Sequence, residues 1–345
     1  MLHIASQSPA VSELAEWRLQ AGDLHATVSS AGAMLFDLRF TKSDGSFFWP
    51  FARADWRGDL RRKLRKDIPV HLQLLGGEWA CVPFGKTVLD QHTHGFCTDH
   101  NWSVVTRSDA AITLRIDYPA DHVVAAVERQ IALDERGTSV DFTLTITPRS
   151  DCCLPIAFHP VFALPQEPGD LEVSFPGFSS GQSLPASLAR AGSALSPDAP
   201  LTAAGEIRLA DGSRHNMFND LSPLNEELVQ LWNTTGAATL TYARAQCQVA
   251  MEWDKAALPH CLIWVANPGL ENIVDGAQFC GIGIEPNNSF FDVNDRAADF
   301  CATSHTHPSE FGLDLTAGIP WTTHYRIAIR EFDETKGKFD ETVPH

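Results

Sequence analysis

Three short segments of this chain set proton-carrying side chains among glycine, proline and aromatic residues. The first is Gly76–Trp102, GGEWACVPFGKTVLDQHTHGFCTDHNW. His92 and His94 are two apart and would share one side of an extended strand, while Gly95 lets another backbone or a ligand approach closely. That spacing fits structural histidines, contacts to a ligand, or a metal pair if further ligands converge. Trp79, Phe84, Phe96 and Trp102 give the segment an aromatic character that suits the apolar faces of a sugar ring as well as a packed core. The second segment is Leu154–Pro165, LPIAFHPVFALP. His159 lies between apolar residues, where its ring is either a satisfied core histidine or a desolvated proton donor. In the third, Cys280–Asn294, CGIGIEPNNSFFDVN, Glu285 ends an apolar, Gly-spaced run before Pro286. It is either an exposed turn residue or a carboxylate entering a pocket at a strand end; buried without partner or task, it would be costly. Asp292 and Asn294 read as turn residues.

The elements that must position these groups are short strands. In Val140–Thr147, VDFTLTIT, the apolar residues fall on every second position, the pattern of a strand packed on one face and wet on the other. Ile112–Asp117, His122–Ile131, Glu227–Trp232, Ala238–Tyr242, Cys261–Val265 and Tyr325–Phe332 add similar runs, separated by turns such as DERGTS, NTTGA and NPGLEN. The chain is therefore expected to be all-β, a large antiparallel β-sandwich. Helical signals are confined to Asn216–Leu221 and Asp295–Ala302. Trp49–Val70, Gly177–Thr202 and Ser304–Pro320 are irregular stretches of the kind that shape sites, the second reading as a surface excursion. No composition break divides the 345 residues, so one domain over 1–345 with its core at about 20–332 is expected.

Composition narrows the partners. The 26 Lys and Arg against 43 Asp and Glu leave a formal charge of −17, which disfavours nucleic acid or an anionic membrane. The imbalance is uneven: Arg53–Lys66, RADWRGDLRRKLRK, holds seven basic and two acidic residues, +5 against −22 elsewhere. That segment is a solvated loop, an oligomer contact or an anion-guiding lip. No G-x-G-x-x-G, Walker A, G-x-S-x-G or H-E-x-x-H occurs, removing the usual support for dinucleotide, P-loop, α/β-hydrolase and zincin chemistry. Met1–Ala10 lacks the basic and apolar regions of a secretory leader, and no apolar run is long enough to span a membrane. The eight scattered cysteines include no CxxC and read as buried thiols of a reducing compartment. A cytoplasmic monomer or homodimer follows as the expectation.

The succession HG, FHP and IEP resembles the aldose 1-epimerase, or galactose mutarotase-like, superfamily, including its hexose-6-phosphate epimerase branch. The resemblance spans roughly residues 20–332 and implies a large antiparallel β-sandwich with an open substrate cleft across one sheet. It also implies roles: His94 of HTHG matches the sugar-binding histidine, His159 of FHPVF the catalytic histidine, and Glu285 of GIEPNN the catalytic carboxylate. Met251–Gly269 resembles the segment that helps line the cleft, with Asp254 matching the substrate-binding aspartate. Trp102 is carried with the aromatic candidates for sugar contact. One departure is clear. The family usually shows an Asn-Arg pair in the strand before HG, whereas this chain has PFGKTV at Pro83–Val88. Lys86 is the polar candidate there, without the bidentate geometry of arginine.

The resemblance implies an enzyme that interconverts sugar anomers. Glu285 would act as general base on the C1 hydroxyl, protonated His159 would donate to the ring oxygen, and His94 would position the sugar, with no redox cofactor or metal required. The substrate would be a monosaccharide or sugar derivative, neutral, phosphorylated or acidic. Two alternatives stay open: a non-catalytic carbohydrate-binding protein on the same fold, and another sugar isomerase or lyase, with a metal held by His92, His94 and a third ligand.

Overall fold

The alternation at Val140–Thr147 belongs to the strand Ser139–Pro148 of an eight-stranded antiparallel sheet. The computed structural model describes residues 14–58, 68–186, 188, 192–221, 224–270, 278–293 and 311–332. In pairing order the sheet runs Leu171–Ser174, Ala237–Tyr242, Cys247–Trp253, Trp321–Glu331, Ser139–Pro148, Val124–Leu133, Ala111–Asp117 and Ser103–Arg107. Its inner face presents Val140, Phe142, Leu144 and Ile146, all buried, while the residues between them reach solvent. One wet face is what makes this sheet visible as period two.

A second eight-stranded sheet behaves differently. It is ordered Pro200–Leu201, Ser180–Ser183, Glu226–Trp232, His260–Gly269, Phe279–Asn287, Ala157–Phe158 and Ala80–Cys81, with Val161–Ala163 also pairing Phe279–Asn287. His260 to Ala266 are buried without alternation because both faces of this sheet are covered. Ile263, Val265, Ile282 and Ile284 join the core between the sheets. Leu262, Trp264 and Ala266 face a separate apolar layer with Trp56, Val70, Trp79, Phe84 and Phe290. A four-stranded antiparallel sheet, Glu16–Ala21, Leu24–Ser29, Leu35–Thr41 and Phe47–Phe48, precedes both.

The architecture is the expected all-β antiparallel sandwich, with local differences. Asn216–Leu221 holds no helix: Asn216 ends the strand Arg214–Asn216 and a turn follows. Gly177–Thr202 is more than a surface excursion, since Ser180–Ser183 hydrogen-bonds along Glu226–Trp232 and extends the second sheet. Within Ser304–Pro320, Leu313–Leu315 pairs with Cys152–Leu154. Among the described residues, single helical turns lie instead at Val70–Gln73 and Phe96–Asp99. Residues 59–66 of the basic segment, residues 295–302 with Cys301, and residues 304–310 lie outside the described residues. Among the described residues the seven cysteines are free thiols, and no helix is long and apolar enough to cross a membrane.

Candidate functional site

Glu285 is placed by sheet register. It lies opposite Leu262 on the neighbouring strand, and Gly283 lies opposite Trp264, so the carboxyl points into the outer apolar layer rather than the inter-sheet core. Gly283 shares that face, and a Cβ there would come within 2.3 Å of Glu285 Oε1. The Gly-spaced sequence thus leaves the volume that the carboxyl fills. His159 approaches from the adjoining segment: its backbone N–H donates to Trp79 O (2.8 Å) and its ring stacks on Trp79, centroids 4.2 Å apart and planes 21° off parallel. His159 Nε2 then stands 3.4 Å from Glu285 Oε1.

His94 completes the cluster. It sits in a turn at φ +65°, with Gly95 at +88°, in the left-handed region that costs a side-chain-bearing residue energy and is favoured where surroundings hold it. Asp90 does the holding: Oδ1 accepts from His92 N (2.9 Å), and Oδ2 accepts from Phe96 N (2.8 Å). A Cβ on Gly95 would meet Val82 O at 2.1 Å, so glycine is required for the turn to close against the segment that follows the strand Ala80–Cys81. The His94 ring stacks on Phe84 at 5.2 Å and meets His159 edge-on at 5.0 Å. Gly85 N–H faces His94 Nδ1 at 3.4 Å, which leaves the ring proton on Nε2.

Burial sets the protonation of the cluster. It drives His159 well below the ordinary imidazole value, helped by His94 and His71, and lowers His94 to about 3, helped by His71. It raises Glu285 well above the usual carboxyl value, with the charge of Asp292 adding to the effect. The unliganded pair is therefore a neutral imidazole facing a protonated carboxyl.

Solved structures of the same architecture superpose over nearly the whole chain. A galactose mutarotase-like protein from Clostridium acetobutylicum is 14% identical, with TM-score 0.60 over 95% of this chain and 98% of its own. A galactose mutarotase-like protein from Lactobacillus casei is 16% identical, with TM-score 0.59 over 92% of this chain and 100% of its own. The GalM/aldose epimerase homologue from C. elegans is 12% identical, with TM-score 0.60 over 92% of this chain and 100% of its own. The chain has the galactose mutarotase-like fold. No family model matches the sequence, and no curated protein matches it.

Within this mutarotase-like fold, His94, His159 and Glu285 meet as one cluster, but several expectations are corrected. His92 and His94 do not share a strand face. The turn sends His92 to Asp90 (Nδ1 to Oδ1, 2.7 Å) and to the rings of Phe96 and His100, whereas His94 turns toward His159. The two rings therefore do not form a metal pair. Trp102 belongs to the core between the sheets, and its indole N–H is consumed by Cys97 O at 2.8 Å, making it a packing residue. Asp254 follows the strand Cys247–Trp253 of the first sheet, where its Oδ1 accepts from Ala256 N (3.0 Å) and shapes a turn. Lys86 is exposed beside the His94 turn, close enough for its charge to act on His92. In place of an open cleft, the pair is enclosed: His159 is 5% and Glu285 1% exposed.

Other members of the site were not singled out from sequence. His71, on Val70–Gln73, places its ring 5.4 Å from His94 and its Nδ1 2.9 Å from Asp99 Oδ1. Burial works to raise the Asp99 carboxyl, yet the charge and hydrogen bonds of His71 leave it below its ordinary value. Glu78 makes a fully buried ion pair with Arg129, whose Nη1 also donates to Ala33 O at 3.0 Å. That pair anchors the segment whose Gly77 and Trp79 carbonyls accept from Val161 N and His159 N, each at 2.8 Å. Glu78 lies within the quoted GGEWAC run, but a lone Glu beside Trp carries no sign of an arginine 51 residues away.

Proposed function

We propose that this protein is an aldose 1-epimerase-like enzyme that interconverts the anomers of a monosaccharide or sugar derivative by acid–base ring opening and closure, with no cofactor. The observation that carries the reading is the His159–Glu285 contact, 3.4 Å between Nε2 and Oε1, with burial pushing the two groups' proton affinities in opposite directions. Such a pair holds one transferable proton.

In the unliganded site that proton rests on Glu285. Transfer to His159 gives a carboxylate and an imidazolium, the form in which Glu285 takes the C1 hydroxyl proton and His159 gives its proton to the ring oxygen. The C1–ring oxygen bond breaks, C1 becomes an aldehyde carbon, and rotation about C1–C2 exposes its other face. Reclosure with both transfers reversed gives the other anomer and restores the pair. Nε2–H of neutral His94 positions a sugar oxygen, and Trp79 and Trp264 supply aromatic surface around His159. Lys86, exposed beside the His94 turn, suits a phosphorylated or acidic sugar, and the apolar layer suits a neutral one.

Anomer exchange measured by NMR on neutral aldoses, sugar phosphates and uronic acids tests the reading. Wild-type protein is expected to accelerate exchange for at least one sugar, and E285Q to lose about 10²–10⁴-fold of that rate. Undiminished exchange in E285Q rejects the assignment. The enclosure of both groups favours one competing reading, a non-catalytic sugar-binding protein; sugar binding with exchange at the buffer rate would establish it.

A further inference from the structure

A third imidazole enters the cluster from outside the motifs that carry the resemblance. His71 is 1% exposed, its backbone N–H faces Asp99 Oδ1 at 3.3 Å, and its Nδ1 lies 2.9 Å from the same oxygen. An ionised carboxylate only accepts, so Nδ1 carries a proton and donates it to Asp99. That leaves Nε2, on the far side of the ring, buried and without a hydrogen-bond partner. His159 Nδ1 is buried and unpartnered in the same way. Buried polar atoms in folded proteins are paired as a rule, and each exception calls for a partner from outside the chain or another physical reason.

The surroundings fit a polyhydroxylated ligand. His71 meets His94 edge-on at 5.4 Å, and Trp79 stands 6.1 Å from His71 and 4.2 Å from His159. His94 offers a donor at Nε2, because Nδ1 is taken by Gly85 N–H. The His71 ring, whose Nδ1–H is committed to Asp99, leaves Nε2 as its one uncommitted polar atom. Adjacent hydroxyls of a sugar each donate and accept, so they can engage the ring nitrogens of two neighbouring imidazoles. Asp99 follows the His94 turn directly on the helix Phe96–Asp99, so one segment both sets His94 and holds His71.

We propose that His71, oriented by Asp99, is a sugar-binding residue of this site and takes a hydroxyl of the bound sugar on Nε2 beside His94. The proposal rests on the reading of the cluster as a sugar site, and its test separates the two. H71N keeps an amide donor where Nδ1 faces Asp99 and deletes the Nε2 side of the ring; H71Q keeps a polar atom near Nε2. With D-glucose in the anomer-exchange assay, H71N is expected to raise KM about tenfold, the worth of one hydrogen bond, with kcat held within about threefold. H71Q should recover part of the KM. One of the 2-, 3-, 4- or 6-deoxy analogues should show the same tenfold loss with wild-type protein and no further loss with H71N. Independently of turnover, 15N-histidine NMR of wild-type protein should show the His71 Nε2 signal moving when D-glucose is added. A folded H71N with wild-type KM, or an Nε2 signal unmoved by saturating D-glucose, overturns the proposal. A moving Nε2 signal with no anomer exchange would instead remove the reaction and leave His71 as a binding residue.

Discussion

Glu285→Gln should make the protein less active and more stable, with the gain in stability growing as pH rises. Glu285 is 1% exposed, and its carboxyl fills the space above Gly283, so glutamine preserves the shape. Burial, with Asp292, raises its folded-state proton affinity well above that of an ordinary carboxyl, whereas the unfolded carboxyl titrates near about 4.3. Above that pH the folded chain holds a proton that the unfolded chain has released, so folding takes up one proton and wild-type stability falls as pH rises. The slope is about 1.4 kcal/mol per pH unit and continues until the folded carboxyl itself ionises. Glutamine does not titrate, so the difference between the two proteins should be near zero at pH 4 and widen by that amount with each unit above it. For a chain of 345 residues it amounts to roughly 2 °C in Tm per pH unit. The low proton affinity of His159 also acts on stability, in acid, but occurs in both proteins and largely cancels in the difference. Thermal and denaturant unfolding of both proteins from pH 4 to 8 measures it. A Tm difference that does not change with pH would refute the assignment of a protonated, buried Glu285.

Two further variants probe the frame around the pair. Trp102→Phe removes the indole donor to Cys97 O and part of a buried ring, and should cost about 1–3 kcal/mol in denaturant unfolding while leaving KM for sugar unchanged; a changed KM would return Trp102 to the sugar site. Gly95→Ala puts a Cβ 2.1 Å from Val82 O at φ +88°, and should lose at least about 2 kcal/mol of stability and weaken sugar binding through displacement of His94; unfolding at the wild-type midpoint would show that the turn relaxes freely.

Local sequence determined the class of fold and marked three residues that the structure brings into one cluster. Alternation over Val140–Thr147 is a property of one strand and its two faces, and it is readable because one of those faces is wet. The second sheet carries the site and is covered on both faces, so His260–Ala266 shows an unbroken apolar run that says strand but not which side a residue takes. The HG, FHP and IEP segments marked His94, His159 and Glu285 because each motif packs its own local geometry: a left-handed turn, a chain between prolines, a Gly-spaced strand. Tertiary structure decided what these groups meet. His71 and Asp99 are 28 residues apart and Glu78 and Arg129 are 51 apart, and nothing in their neighbours' types encodes the pairing. Register alone aims Glu285 into the outer layer with Gly283 beneath it. The same layer dries the site, and the loss of water, rather than any residue's identity, moves the resting proton from His159 to Glu285.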